Sequence, residues 1–410
     1  MLKKIYLSVI ALSFISLAQS TQVKTGIEIL KQSDFQLLAG KRVGLITNPT
    51  GVDSKLRSTI DILYNAKNVN LVALFSPEHG VRGAYAAGDK IETYTDSKTK
   101  LPVYSLYGKT RKPTIEMLNG IDVLVYDIQD IGCRSYTYIS TMGLAMEAAA
   151  ENNIEFIVLD RPNPLGGLKV EGNLVEEGYY SFVSQFKIPY VYGLTCGELA
   201  QMLNEEKMMK NGIKCMLTVV AMQNWKREME FKDTGLEWVL TSPHVPHDYS
   251  PQYYVSSGIL GELGIVSEGV GYTLPFQVFA AEWINADDIA EKLNSLNLEG
   301  VNFRPITFKP YYYNDNNIVL KGVQIHITNS DALNLMSLQF LFMQVNNELY
   351  PEYNPFEIAD ASVLKTFDKV MGTSKIRELF TMRLKYEDIK DYLEKDIEKF
   401  KEISKKYYIY

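Results

Sequence analysis

A glutamate at the end of an apolar run is the residue best set for acid chemistry. Glu78 follows Val69–Phe75 and sits between Pro77 and His79, ahead of Gly80. A carboxyl held there against apolar walls has its charged form disfavoured, and a raised pKa is what a general acid at neutral pH requires. The competing reading is a glutamate that caps the next segment or pairs with Arg82. Asp127 and Asp130 close another apolar run, Asp122–Ile128, so paired-carboxylate chemistry of the glycosidase kind is available. The same strand ends add His79, Gln129 and Arg134, with Tyr136 and Tyr138 close behind, and the ends of the remaining runs add Asn48, Tyr107, Asp160, Arg161 and Asn163. Asn48, Asp130 and Asn163 also suit caps and turns. The chain has 27 Tyr, 17 Phe and 3 Trp; such rings suit sugar stacking and ordinary cores alike.

These side chains need a scaffold that gathers strand ends. From Lys41 the sequence alternates strand-like segments (Lys41–Thr47, Val69–Phe75, Val103–Leu106, Asp122–Ile128, Glu155–Leu159, Cys215–Ala221) with helical ones (Ser58–Ala66, Thr114–Leu118, Tyr136–Glu151, Thr195–Lys207). Near-continuous apolar strands alternating with helices predict an α/β fold, a largely parallel sheet with helices on both faces. Ligands of such sheets bind outside the carboxyl ends of the strands, where the polar residues collect. After Thr241 the texture changes. A Pro-containing loop (Thr241–Gln252) leads to a Gly-rich stretch (Gly258–Gly271), a helix at Ala286–Leu296, and strands at Val301–Phe308 and Gly322–Thr328. Helices follow at Ala332–Leu349, Ser374–Phe380 and Glu387–Lys406, which together predict a smaller α+β C-terminal domain. The expected division is 1–20 signal peptide, 21–240 catalytic domain and 241–410 auxiliary domain.

Composition excludes several classes. A chain of 410 residues, 46% of them hydrophobic, is a globular protein of about two domains. Net charge −7 and a pI of about 5.4 argue against nucleic acid as a partner. GxGxxG after the first strand and GxxxxGK[ST] are both missing, as is the GxSxG elbow. With no evident Ser–His or Cys–His pair, hydrolysis of esters or peptides is the weakest reading. Cys133, Cys196 and Cys215 form neither a zinc pattern nor a framework, and read as buried small hydrophobes, a Cys196–Cys215 bridge being the alternative. His244 and His247 lack a carboxylate at helical spacing beside them, so no metal and no cofactor is expected. The first twenty residues have Lys3 and Lys4, an apolar Ile5–Leu17 stretch and Ala18-Gln19-Ser20. That is the form of a cleaved signal peptide. A soluble periplasmic or extracellular protein without membrane insertion is expected.

Several blocks resemble one family. SPEHG (Ser76–Gly80), YDIQDIGCRSYTYI (Tyr126–Ile139), LDRPNPLGG (Leu159–Gly167), VEGN (Val170–Asn173) and YGLTCGELA (Tyr192–Ala200) are similar to the NamZ-type exo-β-N-acetylmuramidases, glycoside hydrolase family 171. SPHVPH (Ser242–His247), GVQIHIT (Gly322–Thr328) and FDKVMGT (Phe367–Thr373) continue the match in order. The resemblance implies a Rossmann-like domain with an auxiliary domain, the active site between them, and release of N-acetylmuramic acid from the non-reducing end of peptidoglycan fragments. Glu78 falls where the family's proposed catalytic glutamate lies. Asp127 or Asp130 would then orient the acetamide or activate water. Arg134 or Arg161 would clamp the lactyl carboxylate unless held in an ion pair with Asp127 or Asp160. Tyr107, Tyr136 or Tyr138 would stack on the ring. The loop Ser267–Thr273 departs from the family's pattern, with Val270 and Tyr272 where an Arg and a Thr are usual. An exported sugar- or muropeptide-binding protein without catalysis is the rival description. A binder returns its ligand unchanged, whereas an enzyme liberates reducing sugar.

Overall fold

The computed structural model describes residues 22–83, 92–311 and 317–410. The expected signal segment lies outside them. Seven strands form the larger sheet: β1 (Arg42–Thr47), β2 (Asn70–Ser76), β3 (Tyr94–Thr95), β4 (Pro102–Ser105), β5 (Val123–Asp127), β6 (Glu155–Leu159) and β7 (Met216–Val220). Their order is β3-β4-β2-β1-β5-β6-β7, and every neighbouring pair is parallel except β3 with β4. Without the short edge strand β3, this is the doubly wound Rossmann order. Its switch point lies between β1 and β5, where a crevice opens at the carboxyl edge.

The central strands β1, β5 and β6 are nearly continuous apolar runs because both of their faces are covered. Ile46, Leu124 and Phe156 pack with Met142, Met146 and Leu199 on one side. Their neighbours Leu45, Val125 and Ile157 pack with Ile27, Leu30, Ile60 and Leu63 on the other. Successive residues of a strand point to opposite faces, so a two-sided core needs an unbroken apolar run.

The smaller sheet is antiparallel, with β8 (Val278–Ala281), β9 (Val301–Phe308) and β10 (Leu320–Ile327) in the order β8-β10-β9. Its core is continuous with residues of the first half. Ile131, Cys133, Tyr190 and Val191 share a cluster with Val255, Phe279, Val323 and Phe342. Helices Gly26–Gln32, Ser250–Gly261 and Ala361–Met371 were not anticipated. Ser250–Gly261 has Pro251 in its first turn and Gly258 and Gly261 near its end, so it reads as a loop. Proline is tolerated at a helix start, and a side chain at Gly261 would strike the Glu268 carboxyl at 2.9 Å. The expected Glu387–Lys406 helix is two, Glu387–Glu394 and Ile397–Ser404. All three cysteines are buried and free, so the alternative Cys196–Cys215 bridge is not formed. Among the described residues, no helix is long and apolar enough to cross a membrane.

Candidate active site

A cleft of about 550 Å³ opens at the carboxyl edge of the large sheet. Glu78 and His79 enter it after β2, Tyr107 and Arg111 after β4, and Ser135–Tyr138 after β5. Ser181–Val183 add a wall. The other half of the chain supplies Ser242, Tyr254, Glu262, Thr366 and Lys369.

Glu78 is half-buried on a tight turn. The Ser76 hydroxyl donates to the Pro77 carbonyl at 2.9 Å. His79 and Gly80 follow with φ of 72° and 80°. A histidine in the left-handed region is strained by about 1–2 kcal/mol, and such strain persists where packing dictates the backbone. The turn thereby fixes where the carboxyl points. Tyr107 hydrogen-bonds to Glu78, and burial, then the nearby Glu78 charge, push the phenol up to about 12. It stays a neutral donor through the physiological range.

Tyr136 donates to the Thr241 hydroxyl at 2.7 Å and Tyr138 to the Thr241 carbonyl at 2.6 Å. Their rings meet edge to face at 5.1 Å, and Tyr136 meets Tyr254 the same way at 5.6 Å. These contacts tie the strand-end tyrosines to the loop and helix that complete the cleft. Glu262 keeps solvent contact in the cleft, yet the walls surround it closely and this enclosure raises its pKa. Glu268 beside it is pushed up to about 7 by burial, with Glu262 adding to the shift. Glu262, Arg111, Tyr254 and Lys369 were missed in the sequence because their signals are weak. Only Arg111 lies close in the chain to a predicted residue, Tyr107.

Of the thirteen residues singled out in the sequence, Glu78, His79, Tyr107, Tyr136 and Tyr138 meet in this cleft. The others are engaged elsewhere. Asp127 is fully buried, with Arg161 donating Nε to Oδ1 at 2.5 Å and Nη2 to Oδ2 at 3.0 Å, and Thr59 donating to Oδ2 at 2.5 Å. That pair is the structural alternative foreseen for Arg161, whose Nη2 also reaches the Val52 carbonyl. Asp160 caps the Cys196–Glu205 helix, accepting from the Gly197 amide, Thr195 and Tyr410. Gln129 donates to the Asp130 and Pro162 carbonyls. Asn163 holds its turn through Leu165 and Leu194. Asn48 accepts from the Thr50 amide and hydroxyl, leaving its buried Nδ2 without a described partner.

Arg134 is no ligand clamp. Its guanidinium, 1% exposed, donates to the carbonyls of Asn173, Ile188, Val370 and Met371 at 2.7–3.0 Å and has no carboxylate partner among the described residues. The last two carbonyls end the Ala361–Met371 helix, whose negative dipole end suits a cation.

Asp130 accepts from Tyr192 and from the Gly132 amide, while Oδ1 has no described partner. Burial, only partly offset by those bonds, pushes its pKa up to about 7. A carboxyl titrating higher folded than unfolded contributes stability fully below about pH 4, lost as pH rises through 7. Asp130→Asn cannot ionise. Its stability relative to the parent is expected to rise between pH 5 and pH 8 in urea melts, and an unchanged difference would refute the assignment.

Two carboxyls and a bank of tyrosines in one cleft, at the carboxyl edge of a doubly wound sheet, are the equipment of an α/β glycoside hydrolase. Comparison with known proteins narrows that class. The chain belongs to the exo-β-N-acetylmuramidase NamZ family, whose N-terminal model matches residues 43–249 and C-terminal model residues 252–410. The peptidoglycan β-N-acetylmuramidase NamZ of Bacillus subtilis (strain 168) is 45% identical over 393 residues, 96% of this chain and 92% of that protein. A crystal structure of a DUF1343 family protein from Bacteroides fragilis NCTC 9343 is 60% identical with a TM-score of 0.91. A second from the same organism is 30% identical with a TM-score of 0.76. Each covers 95% of this chain and 99% of its own.

Proposed function

We propose that this protein is an exo-acting β-N-acetylmuramidase that releases N-acetylmuramic acid from the non-reducing end of peptidoglycan fragments. The observation that carries the reading is Glu78, held by its strained turn and by Tyr107 in a cleft completed by the second half of the chain. Family membership and the named activity of the Bacillus subtilis relative support it.

In this reading Glu78 protonates the departing glycosidic oxygen as the bond to the anomeric carbon breaks. The oxocarbenium-like centre is met by water or by the sugar's own 2-acetamido group. Glu262 is the second carboxyl lining this cleft and is the candidate base, placed across it from Glu78's half of the chain. It replaces Asp127, whose carboxylate is committed to Arg161 and Thr59. Tyr136, only partly buried, gives the sugar an aromatic surface, and Tyr138, buried behind it, holds that ring edge to face. Export to the periplasm or exterior belongs to the same proposal, supported by the form of residues 1–20.

One experiment tests both parts. The full chain is expressed in a secreting host, the mature protein is weighed, and it is incubated with a chromogenic β-N-acetylmuramide and its β-glucosaminide counterpart. The expected results are a mass starting at Thr21 and liberated muramic acid at a rate well above glucosamine release. Ligand returned unchanged would sink the enzyme reading, and an uncleaved chain left inside the cell would sink export.

A further inference from the structure

The cleft holds two cations that the described chemistry does not use. Arg111 lies over the Phe182 ring, 4.3 Å from guanidinium carbon to ring centroid. Phe182 is itself fixed, because Ser140 donates to its carbonyl at 2.7 Å. A guanidinium seated over a ring still has N–H groups with which to donate, and these suit a carboxylate. Lys369 comes from the other half, on the Ala361–Met371 helix whose final carbonyls Arg134 holds. Both side chains are exposed in the cleft, and neither forms an ion pair with a described residue. Elsewhere arginines find carboxylates readily, as in Arg42 with Asp122 and Arg377 with Asp368.

Placement says which group they meet. Tyr107 feels Arg111 and hydrogen-bonds to Glu78, so the cation and the acid flank one phenol. In N-acetylmuramic acid the lactyl ether sits on C3, two ring carbons from the anomeric C1. A carboxylate recognised beside the scissile bond must therefore lie about one ring-width from the general acid. An anionic sugar entering a cleft that already holds Glu78 and Glu262 also needs compensating positive charge. We propose that Arg111 and Lys369 form the subsite for the lactyl carboxylate and so set the selectivity for muramic acid over glucosamine. Arg111 supplies the bidentate contact and Lys369 the second charge. The inference rests on the substrate class proposed above.

The test compares a chromogenic β-N-acetylmuramide carrying a free lactyl carboxylate with the same compound as its neutral lactyl amide. The parent enzyme is expected to favour the carboxylate by about 100-fold in kcat/KM, the worth of two charge-assisted contacts. Arg111→Ala and Lys369→Ala each lower that preference about 10-fold, and the double variant brings it near unity. Arg111→Lys restores part of it, and added salt erodes the parent's preference but not the double variant's. If the parent releases no sugar, the proposed function fails. If the parent is active and the double variant keeps the parent's preference, the subsite assignment is overturned while the function stands.

Discussion

Glu78→Gln is expected to fold like the parent and to lose about 10²–10⁴-fold in turnover on a natural disaccharide, the usual worth of a positioned general acid. Gln is nearly the same size, and the side chain is only half-buried, so no cavity is created. The size of the loss should depend on the leaving group. A nitrophenolate departs without a proton, so the variant should recover much of its rate on an activated aryl muramide. Steady-state kinetics on both substrates decide the matter. Equal losses on the two would mean that Glu78 acts in another capacity, and parental turnover of the disaccharide would remove it from the mechanism. Tyr107→Phe offers a milder companion, since it removes the phenol that hydrogen-bonds to the carboxyl.

Arg134→Ala should destabilise the fold by about 3–5 kcal/mol, about 1–3 for each buried carbonyl left unsatisfied together with the packing of the lost side chain. The guanidinium is buried, and the Asn173 and Ile188 carbonyls would lose their donor, while Val370 and Met371 would keep only Ser184 and the Asn173 amide. Burial lowers its pKa only to about 10, so the charge is present at neutral pH. Two of those carbonyls belong to the helix that carries Thr366 and Lys369, hence loss of Arg134 should also loosen one wall of the cleft. Arg134→Lys has three donors for four acceptors and should lose less than Ala. Urea unfolding of the three proteins measures the series. A midpoint for Arg134→Ala that matches the parent would refute the role given to this residue.

The fate of Arg134 illustrates what strand-end logic cannot resolve. The rule that polar residues after parallel strands line a ligand site named Glu78, His79, Tyr107, Tyr136 and Tyr138, which share one cleft. It also swept in Asp127, Asp160, Arg161 and Asn163, which use the same edge of the sheet for internal bonding. Helix starts, crossovers and turns need capping groups at that edge as much as a ligand does. Composition cannot separate the two uses. Partners do, and they lie far off in sequence: Asp127 meets Thr59, and Asp160 meets the hydroxyl of Tyr410.

The fold itself was legible for a simple reason. A strand buried on both faces must be apolar at every position, and a helix between two such strands must cross over, so the parallel sheet follows from local pattern. The position of Glu78 follows equally, because the turn that ends β2 lies in the chain next to the strand that sets it. The second half of the cleft obeys no such local constraint. Glu262, Tyr254 and Lys369 share a cleft with Glu78 only because the helices Ser250–Gly261 and Ala361–Met371 dock on the first half. Docking is decided by a shared core and by Arg134, over more than two hundred residues of intervening chain. Pattern therefore specified one wall and the carboxyl upon it, and only packing across the chain decided what stands opposite.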